Sequence, residues 1–194
     1  MPRPNVVYLD HHSEKLKGNA WGDPHVRTLP IYLPPGYDEG RADPYPVVFF
    51  LNGYGGKGEG LLHSNSVFYR PLPERMDAMI LEGSSRPYIA VFPDASTRLG
   101  ASQYVNSATN GPYMDYLCDE LVPFVDERFH TKRGPAGRGL SGHSSGGFGA
   151  LVTGMLRPDS FSHILSSSGD SFYENLYLGA IGESVRTLRE AGGV

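Results

Sequence analysis

Short strand-like runs and longer helix-like segments alternate along this chain. The run at 46–51 is continuously apolar and bounded by proline and glycine, which is typical of a parallel strand buried on both faces. The predicted strands of the central sheet are 46–51, 88–92, 137–143 and 163–167. Apolar residues at three- and four-residue spacing predict a helix over 112–129, and a shorter helix is predicted over 73–82. This alternation predicts an α/β fold with a mostly parallel central sheet and helices on both faces.

Three other segments refine this picture. Two short successive strands, 5–9 and 25–33, suit an antiparallel pair at the start of the chain. Pro123 is expected to kink or split the helix over 112–129, because proline lacks an N–H and clashes with the preceding turn. The segment 171–194 is helical in parts, and we expect it to begin a lid or cap. The length of 194 residues predicts one domain, 1–194.

Composition excludes several classes of function. The net charge is −4 and no basic stripe is present, which argues against nucleic acid as a partner. Cys118 is the only cysteine, so no intrachain disulfide can form. The sequence contains neither a signal-peptide apolar region nor an 18-residue apolar span, so we expect a cytoplasmic protein without a membrane segment. No zinc-type cluster is present, and neither a metal nor a cofactor is expected.

The pentapeptide Gly142-His143-Ser144-Ser145-Gly146 carries the clearest chemical signal. It fits Gly-x-Ser-x-Gly, in which a strand turns sharply into a helix and presents the central serine at the tip. The glycines two residues before and after the serine are needed because a Cβ there would clash with the neighbouring strand and helix. The pattern predicts Ser144 as a nucleophile.

Three loops are expected to meet at the carboxyl edge of the sheet: 52–57, 94–106 and 142–146. Acyl transfer needs N–H donors for the tetrahedral oxyanion. One is predicted to be the N–H of Ser145, directly after the nucleophile. The second is assigned to Tyr54, with Gly53 as the near alternative, because glycines in this loop allow N–H groups to turn inward. Residues predicted to line a pocket for a small-molecule ester are Gly53, Tyr104, Asn106 and His143.

The base that activates the serine is harder to place. Hydrolases of this type carry serine, acid and histidine in that order, and only His163 follows Ser144. His163 begins a strand and is expected at the amino edge, roughly 17 Å from the site. His143 is expected to point away from Ser144 along the strand. Asp170 follows the last predicted strand and is a candidate triad acid, although a turn or capping role is the alternative.

Five segments together resemble the putative-esterase family of α/β-hydrolases, which includes S-formylglutathione hydrolase (esterase D), feruloyl esterases, enterochelin esterases and the antigen 85 acyltransferases. The segments are 31–37, the strand running into 52–56, 104–107, 119–126 and 139–151. The resemblance covers residues 25–170 and implies an α/β-hydrolase fold with Ser144 as nucleophile. It places the triad acid after a further strand. In this family the loop after the third strand often starts His-Gly, whereas here it starts Asn52-Gly53.

These observations predict a serine hydrolase that cleaves carboxylic esters or thioesters through an acyl-enzyme on Ser144. We expect the last sheet strands, the triad acid and the histidine to lie beyond Val194. An acyltransferase of the same family is the near alternative, in which an alcohol or sugar replaces water. If the chain ends at Val194, a noncatalytic hydrolase-like binding protein becomes the leading interpretation. The oligomeric state stays open, with a homo-oligomer among the alternatives.

Overall fold

The structure, a computed structural model, describes residues 5–63, 68 and 70–193. Its strands are β1 (Asn5–His12), β2 (Val26–Leu33), β3 (Val47–Leu51), β4 (Ile89–Val91), β5 (Asn106–Ser107), β6 (Gly111–Pro112), β7 (Arg138–His143) and β8 (His163–Ser167). Its helices are α1 (Leu72–Leu81), α2 (Tyr113–Asp115), α3 (Val122–Arg128), α4 (Ser145–Leu156) and α5 (Tyr173–Glu190). Short 3-10 turns cover Gly58–Leu62 and Pro135–Gly137.

Six strands form the central sheet in the order β1-β2-β4-β3-β7-β8, and β5 pairs with β6 separately. β1 runs antiparallel to β2, with Asn5 opposite Leu33 and His12 opposite Val26. β2 is antiparallel to β4, and the remaining neighbours are all parallel. The antiparallel opening pair and the mostly parallel sheet are therefore confirmed. In the parallel part of the sheet, β3 and β4 consist of apolar residues that are buried or half-buried, as expected for strands covered on both faces.

The helix predicted around Pro123 comprises three consecutive segments. A π-helical stretch, Tyr116–Leu121, lies between α2 and α3. The N–H of Val122 bonds to the carbonyl of Leu117, five residues earlier. Pro123 then occupies the first turn of α3, where its missing N–H costs little. A wide turn placed before a proline relieves the clash between its ring and the preceding turn, so the helical backbone continues through Pro123 and is not split in two.

Helices cover both faces of the sheet. On one face Ile31, Phe49 and Leu140 pack in a core that includes Leu117 and Ala150. On the other face Tyr32, Ala90 and Phe92 pack in a smaller core with Met76 of α1. Alternate residues of β3 supply the two faces, as the pleat of a strand requires. The predicted α/β-hydrolase arrangement of layers is confirmed.

The end of the chain contributes little to these cores. All five residues of β8 are exposed, and β8 pairs only with β7. α5 has no buried residue, although Phe148 of α4 contacts the ring of Tyr173 at its start. That 171–194 begins a lid or cap stays a prediction. Among the described residues, no helix is long and apolar enough to cross a membrane.

Candidate active site

Ser144 occupies the turn between β7 and α4. Its backbone has φ 54° and ψ −124°, a conformation that non-glycine residues rarely adopt. Its N–H donates to the carbonyl oxygen of Ser167 at 3.0 Å, which ties the turn to the end of β8. The sharp turn places Ser144 at the carboxyl edge of the parallel strands, as the motif predicts.

The two glycines that flank the turn leave no room for a side chain. A Cβ on Gly142 would lie 2.1 Å from the carbonyl oxygen of Gly146. A Cβ on Gly146 would lie 2.1 Å from the carbonyl oxygen of Leu51 in β3. These contacts are with backbone atoms that cannot move aside, so both positions require glycine for the reason given from the sequence.

The loop after β3 passes directly beside the nucleophile. A Cβ on Gly53 would lie 3.4 Å from both the Cβ of Ser144 and the carbonyl oxygen of His143. Three N–H groups of this loop are already bonded: Asn52 donates to the Tyr104 hydroxyl, Gly55 to the Gly100 carbonyl and Gly56 to the Gly53 carbonyl. Within the described residues, the N–H groups of Gly53 and Tyr54 have no acceptor. These two donors lie in the part of the loop that begins beside Ser144.

The side chain of Tyr54 points towards the neighbouring loop. Its ring is 69% exposed, and its hydroxyl donates to the carbonyl oxygen of Leu99 at 2.6 Å. A Cβ on Gly100 would lie 2.2 Å from this ring, so the ring packs closely against the backbone there. Tyr54 thus links the loop after β3 to the loop after β4, and only its backbone is free to bind an oxyanion.

Ser145 is the first residue of α4. The first four N–H groups of a helix have no acceptor within the helix, and they form the positive end of its dipole. The Ser145 side chain is buried, and its hydroxyl donates to Oδ2 of Asp170 at 2.9 Å. The hydroxyl is therefore engaged, while the N–H stands next to the nucleophile.

Asp170 lies at the carboxyl edge of the parallel strands, beside Ser144. Its Oδ1 accepts a hydrogen bond from the hydroxyl of Ser144 at 3.3 Å, and its Oδ2 accepts the bond from Ser145. A triad acid instead bonds to the imidazole of the base. The observed contact with two serine hydroxyls differs from that arrangement, and the triad role of Asp170 stays a prediction.

Two residues predicted to line the pocket make hydrogen bonds within the protein. Tyr104 is 4% exposed and lies behind the loop, where its hydroxyl bonds to both backbone groups of Asn52. Asn106 accepts hydrogen bonds from the N–H groups of Met114 and Asp115 and so caps the start of α2. The ring of Tyr104 is packed in the core, and its part in a substrate pocket stays a prediction.

The histidines provide no base for Ser144 in this part of the chain. His163 pairs with Gly139 at the amino end of β8, and its ring contacts the carbonyl of Ala136, which confirms its predicted placement. His143 is exposed at the end of β7. Across residues 5–63, 68 and 70–193, no imidazole is hydrogen-bonded to Ser144. The same residues contain no group of three His, Cys, Asp or Glu side chains placed to hold a metal.

The role of Tyr104 is the main feature that sequence reasoning missed. Its partner, Asn52, is 52 residues away, so no local spacing could reveal the contact. Tyr104 also has φ 56°, and a Cβ on Gly149 of α4 would lie 2.6 Å from its ring. Burial raises the pKa of the Tyr104 phenol, which stays protonated and keeps its hydrogen to donate.

Comparisons with known proteins agree with this geometry. Residues 24–176 match the model of the family described as "Putative esterase". Over 154 residues the chain is 28% identical to an endo-1,4-beta-xylanase/feruloyl esterase from Xylanibacter ruminicola, a stretch that covers 76% of this chain and 20% of that protein.

Solved structures share the fold. A ferulic acid esterase from Anaeromyces mucronatus in complex with ferulic acid superposes with a TM-score of 0.63 at 22% identity, covering 83% of this chain and 56% of that one. A feruloyl esterase module from Clostridium thermocellum in complex with sinapinate gives a TM-score of 0.67 at 21% identity, covering 93% and 62%. The chain thus spans less than two thirds of the length of each of these relatives.

Proposed function

This chain belongs to the putative-esterase family, and from that membership we propose that it hydrolyses carboxylic esters or thioesters through an acyl-enzyme on Ser144. The observation that carries the proposal is the strained turn at Ser144, with φ 54°, set beside two free N–H groups of the loop after β3. Strained backbone at the start of a helix is costly and persists where a function needs it.

The first chemical step joins the Oγ of Ser144 to the carbonyl carbon of the ester. The serine proton passes to a general base, and the carbonyl oxygen becomes an oxyanion. The N–H of Ser145 and an N–H of Gly53 or Tyr54 stabilise this charge, because fixed donors in a water-poor site need no reorganisation as charge develops. Tyr54 is our first choice for the second donor.

The intermediate then collapses, and the alcohol or thiol leaves with the proton that the base returns. Water attacks the acyl-enzyme, gives one proton to the base and releases the acid, while Ser144 regains its hydrogen. A histidine base beyond residue 194 remains a prediction from the sequence. We also propose a cytoplasmic location, as expected from the sequence.

The substrates proposed for a first test are simple and aromatic esters. Two of the similar structures are complexes with ferulic acid and with sinapinate, so methyl ferulate is a reasonable probe beside 4-nitrophenyl acetate. Product analysis in the presence of added alcohols separates hydrolysis from acyl transfer, because only transfer yields a new ester.

Covalent labelling tests the nucleophile directly. A fluorophosphonate probe applied to the full protein is expected to label Ser144, and Ser144→Ala is expected to remove the label. Ser162→Ala is the matched control, because Ser162 is exposed at the amino edge and its hydroxyl donates to the carbonyl oxygen of Pro135. Equal labelling of the wild type and Ser144→Ala, or no labelling of the folded wild type, would overturn the proposal.

A further inference from the structure

A carboxylate lies against the nucleophile without a cation to neutralise it. Asp170 accepts the hydroxyl of Ser144 on its Oδ1 at 3.3 Å. Its Oδ2 accepts the hydroxyl of the buried Ser145 at 2.9 Å, which holds the carboxylate in place. Within the described ranges, Asp170 forms no ion pair with a lysine, arginine or histidine side chain. A negative charge therefore lies where the carbonyl group of an ester must approach Ser144.

The backbone before Asp170 fixes the position of this carboxylate. A Cβ on Gly169 would lie 3.0 Å from the backbone nitrogen of Phe148, so the chain runs directly against the start of α4. The N–H of Ser144 donates to the carbonyl oxygen of Ser167 at 3.0 Å, which joins the same two segments again. Because backbone atoms make these contacts, the carboxylate is in place before a substrate arrives, and binding requires little ordering.

Three aromatic side chains, Phe148, Tyr173 and Tyr177, form a group that we call the aromatic cluster. The ring centroids of Phe148 and Tyr173 are 5.3 Å apart with planes at 75°, and those of Tyr173 and Tyr177 are 5.6 Å apart and stacked. Burial raises the pKa of the Tyr173 phenol, and Tyr177 and the charge of Asp170 raise it further. The carboxylate thus lies within electrostatic reach of the cluster. Phe148 and Tyr173 are half-buried and Tyr177 is exposed, so ring surface remains accessible.

A carboxylate beside aromatic rings attracts a cation. The face of an aromatic ring carries partial negative charge and attracts an ammonium group within about 6 Å of its centroid. The carboxylate attracts the same group by Coulomb's law, and more strongly where water is partly excluded. An ammonium nitrogen on the carbon next to a carbonyl group lies about 2.5 Å from the carbonyl carbon by standard bond lengths and angles. Such a nitrogen is close enough to a carbon attacked by Ser144 to meet a carboxylate that touches Ser144.

We propose that Asp170 and the aromatic cluster select esters whose acyl part carries an ammonium group next to the carbonyl, as in esters of α-amino acids. The ammonium group donates to Oδ1 of Asp170 in place of the Ser144 hydroxyl, which is then free to give its proton to the base. The ring of Tyr173 attracts the same charge. Water and the ester give the amino acid and the alcohol. This inference rests on the proposed function, because it names the substrate class of the same serine.

Two esters of matched shape test this selection on the full protein. L-alanine methyl ester carries the ammonium group, and methyl isobutyrate has a methyl group in its place. Both are assayed at about pH 6.5, below the α-amino pKa of about 7.7, so that the amine is charged. The ratio of their kcat/KM values is the preference for the cationic ester. Comparing this ratio between variants cancels the difference in intrinsic reactivity of the two esters.

Asp170→Asn is expected to lower the preference about tenfold or more, because it removes the charge and keeps the shape. The kcat/KM for methyl isobutyrate is expected to change less than tenfold. Raising the NaCl concentration from about 0.05 to about 0.5 M is expected to lower the preference of the wild type severalfold, because salt screens partly exposed charges. This second measurement requires no variant to fold.

Glu174→Gln is the matched control for charge, because it removes an exposed carboxylate in the first turn of α5, four residues from Asp170. The preference is expected to stay within about twofold of the wild type, since an exposed charge is screened by water. Tyr173→Leu removes a ring of the aromatic cluster and is expected to lower the preference about threefold. Phe172→Leu is its control, because Phe172 is 65% exposed and lies outside the cluster.

An unchanged preference in Asp170→Asn overturns the selection and leaves the proposed function standing. A loss of about 10⁴ in kcat/KM for both esters does the same, because that is the loss expected of a triad acid. If Asp170→Asn does not fold, a preference that neither salt nor Tyr173→Leu lowers overturns the selection. Hydrolysis of 4-nitrophenyl acetate without hydrolysis of L-alanine methyl ester also overturns the selection alone. A folded full protein that hydrolyses none of the three esters overturns the proposed function and, with it, this inference.

Discussion

The hydroxyl of Tyr104 holds both backbone groups of Asn52. It accepts the N–H of Asn52 at 2.7 Å and donates to the carbonyl of Asn52 at 3.2 Å. Tyr104 is almost fully buried, and its ring packs against Gly149 of the helix that follows the nucleophile. One side chain therefore joins the loop that carries the proposed oxyanion donors to the helix that begins at Ser145.

Tyr104→Phe tests this positioning role. It leaves the N–H and the carbonyl of Asn52 without a partner in a buried place, which costs about 1–3 kcal/mol of unfolding free energy. We expect kcat on 4-nitrophenyl acetate to fall about tenfold or more with little change in KM, because the donors are displaced in the transition state. Urea unfolding and steady-state kinetics measure the two effects.

Tyr88→Phe is the control for that comparison, since the half-buried Tyr88 hydroxyl has no hydrogen bond within the described residues. It is expected to change neither kcat nor stability appreciably. A Tyr104→Phe protein that loses stability but keeps full kcat would show that the tyrosine supports only the fold.

Gly146→Ala is expected to be strongly destabilising. Its Cβ would lie 2.1 Å from the backbone oxygen of Leu51, and overpacking of this kind costs about 1–3 kcal/mol or more. Gly179→Ala provides the contrast, because Gly179 lies in α5 with nothing within 4 Å of its Cβ position. That second change is expected to raise helix stability by about 0.5–1 kcal/mol. Thermal unfolding of both variants measures whether stability falls for Gly146→Ala and rises for Gly179→Ala.

Asp170→Asn separates a triad acid from a neighbouring carboxylate. We expect kcat to fall less than tenfold, because Asp170 contacts the hydroxyls of Ser144 and Ser145 and no imidazole in the described structure. Neutralising a triad acid lowers kcat by about 10⁴ in the serine protease case. Ser145→Ala serves as the comparison, since it removes one partner of the carboxylate but keeps the backbone N–H. Steady-state kinetics on the full protein measures kcat. A fall of kcat by about 10⁴ would show that Asp170 is the triad acid.

Stability is expected to fall as the solution becomes acidic, in part through His11. Burial lowers the pKa of His11, although Glu120 opposes the shift, and Arg128 and His12 add to it. Because the folded-state pKa lies below the unfolded value of about 6.5, the unfolded state binds more protons as pH drops below 6.5. The contribution of His11 is thus complete above pH 6.5 and declines as pH falls towards the folded pKa.

Urea unfolding at pH 5, 6, 7 and 8 measures this dependence. His11→Gln is expected to flatten the profile between pH 5 and 7, and His163→Gln is the control because His163 is exposed. The same slope of unfolding free energy against pH for the wild type and His11→Gln would contradict the assignment of this pH dependence to His11.

The turn that carries Ser144 and the positions of the buried strands along the chain could be predicted from the sequence, because both rest on local rules. An apolar run bounded by proline and glycine specifies a buried strand, and Gly142 and Gly146 specify a turn too tight for any other residue. The irregular helix around Pro123 follows in the same way from one residue's missing N–H.

The tertiary structure alone decided which side chains make contacts at the carboxyl edge of the sheet. Tyr104 reaches Asn52, Asp170 reaches Ser144 and Asp23 meets Arg98 across intervals of 26 to 75 residues. A side chain's burial and partners depend on which strands become neighbours, and spacing along the chain carries no information about that. The sequence by itself thus determined the fold class and the tight turn that presents Ser144. Only folding decided which side chains hold the loop after β3 and which reach Ser144, because those contacts form between segments distant in sequence.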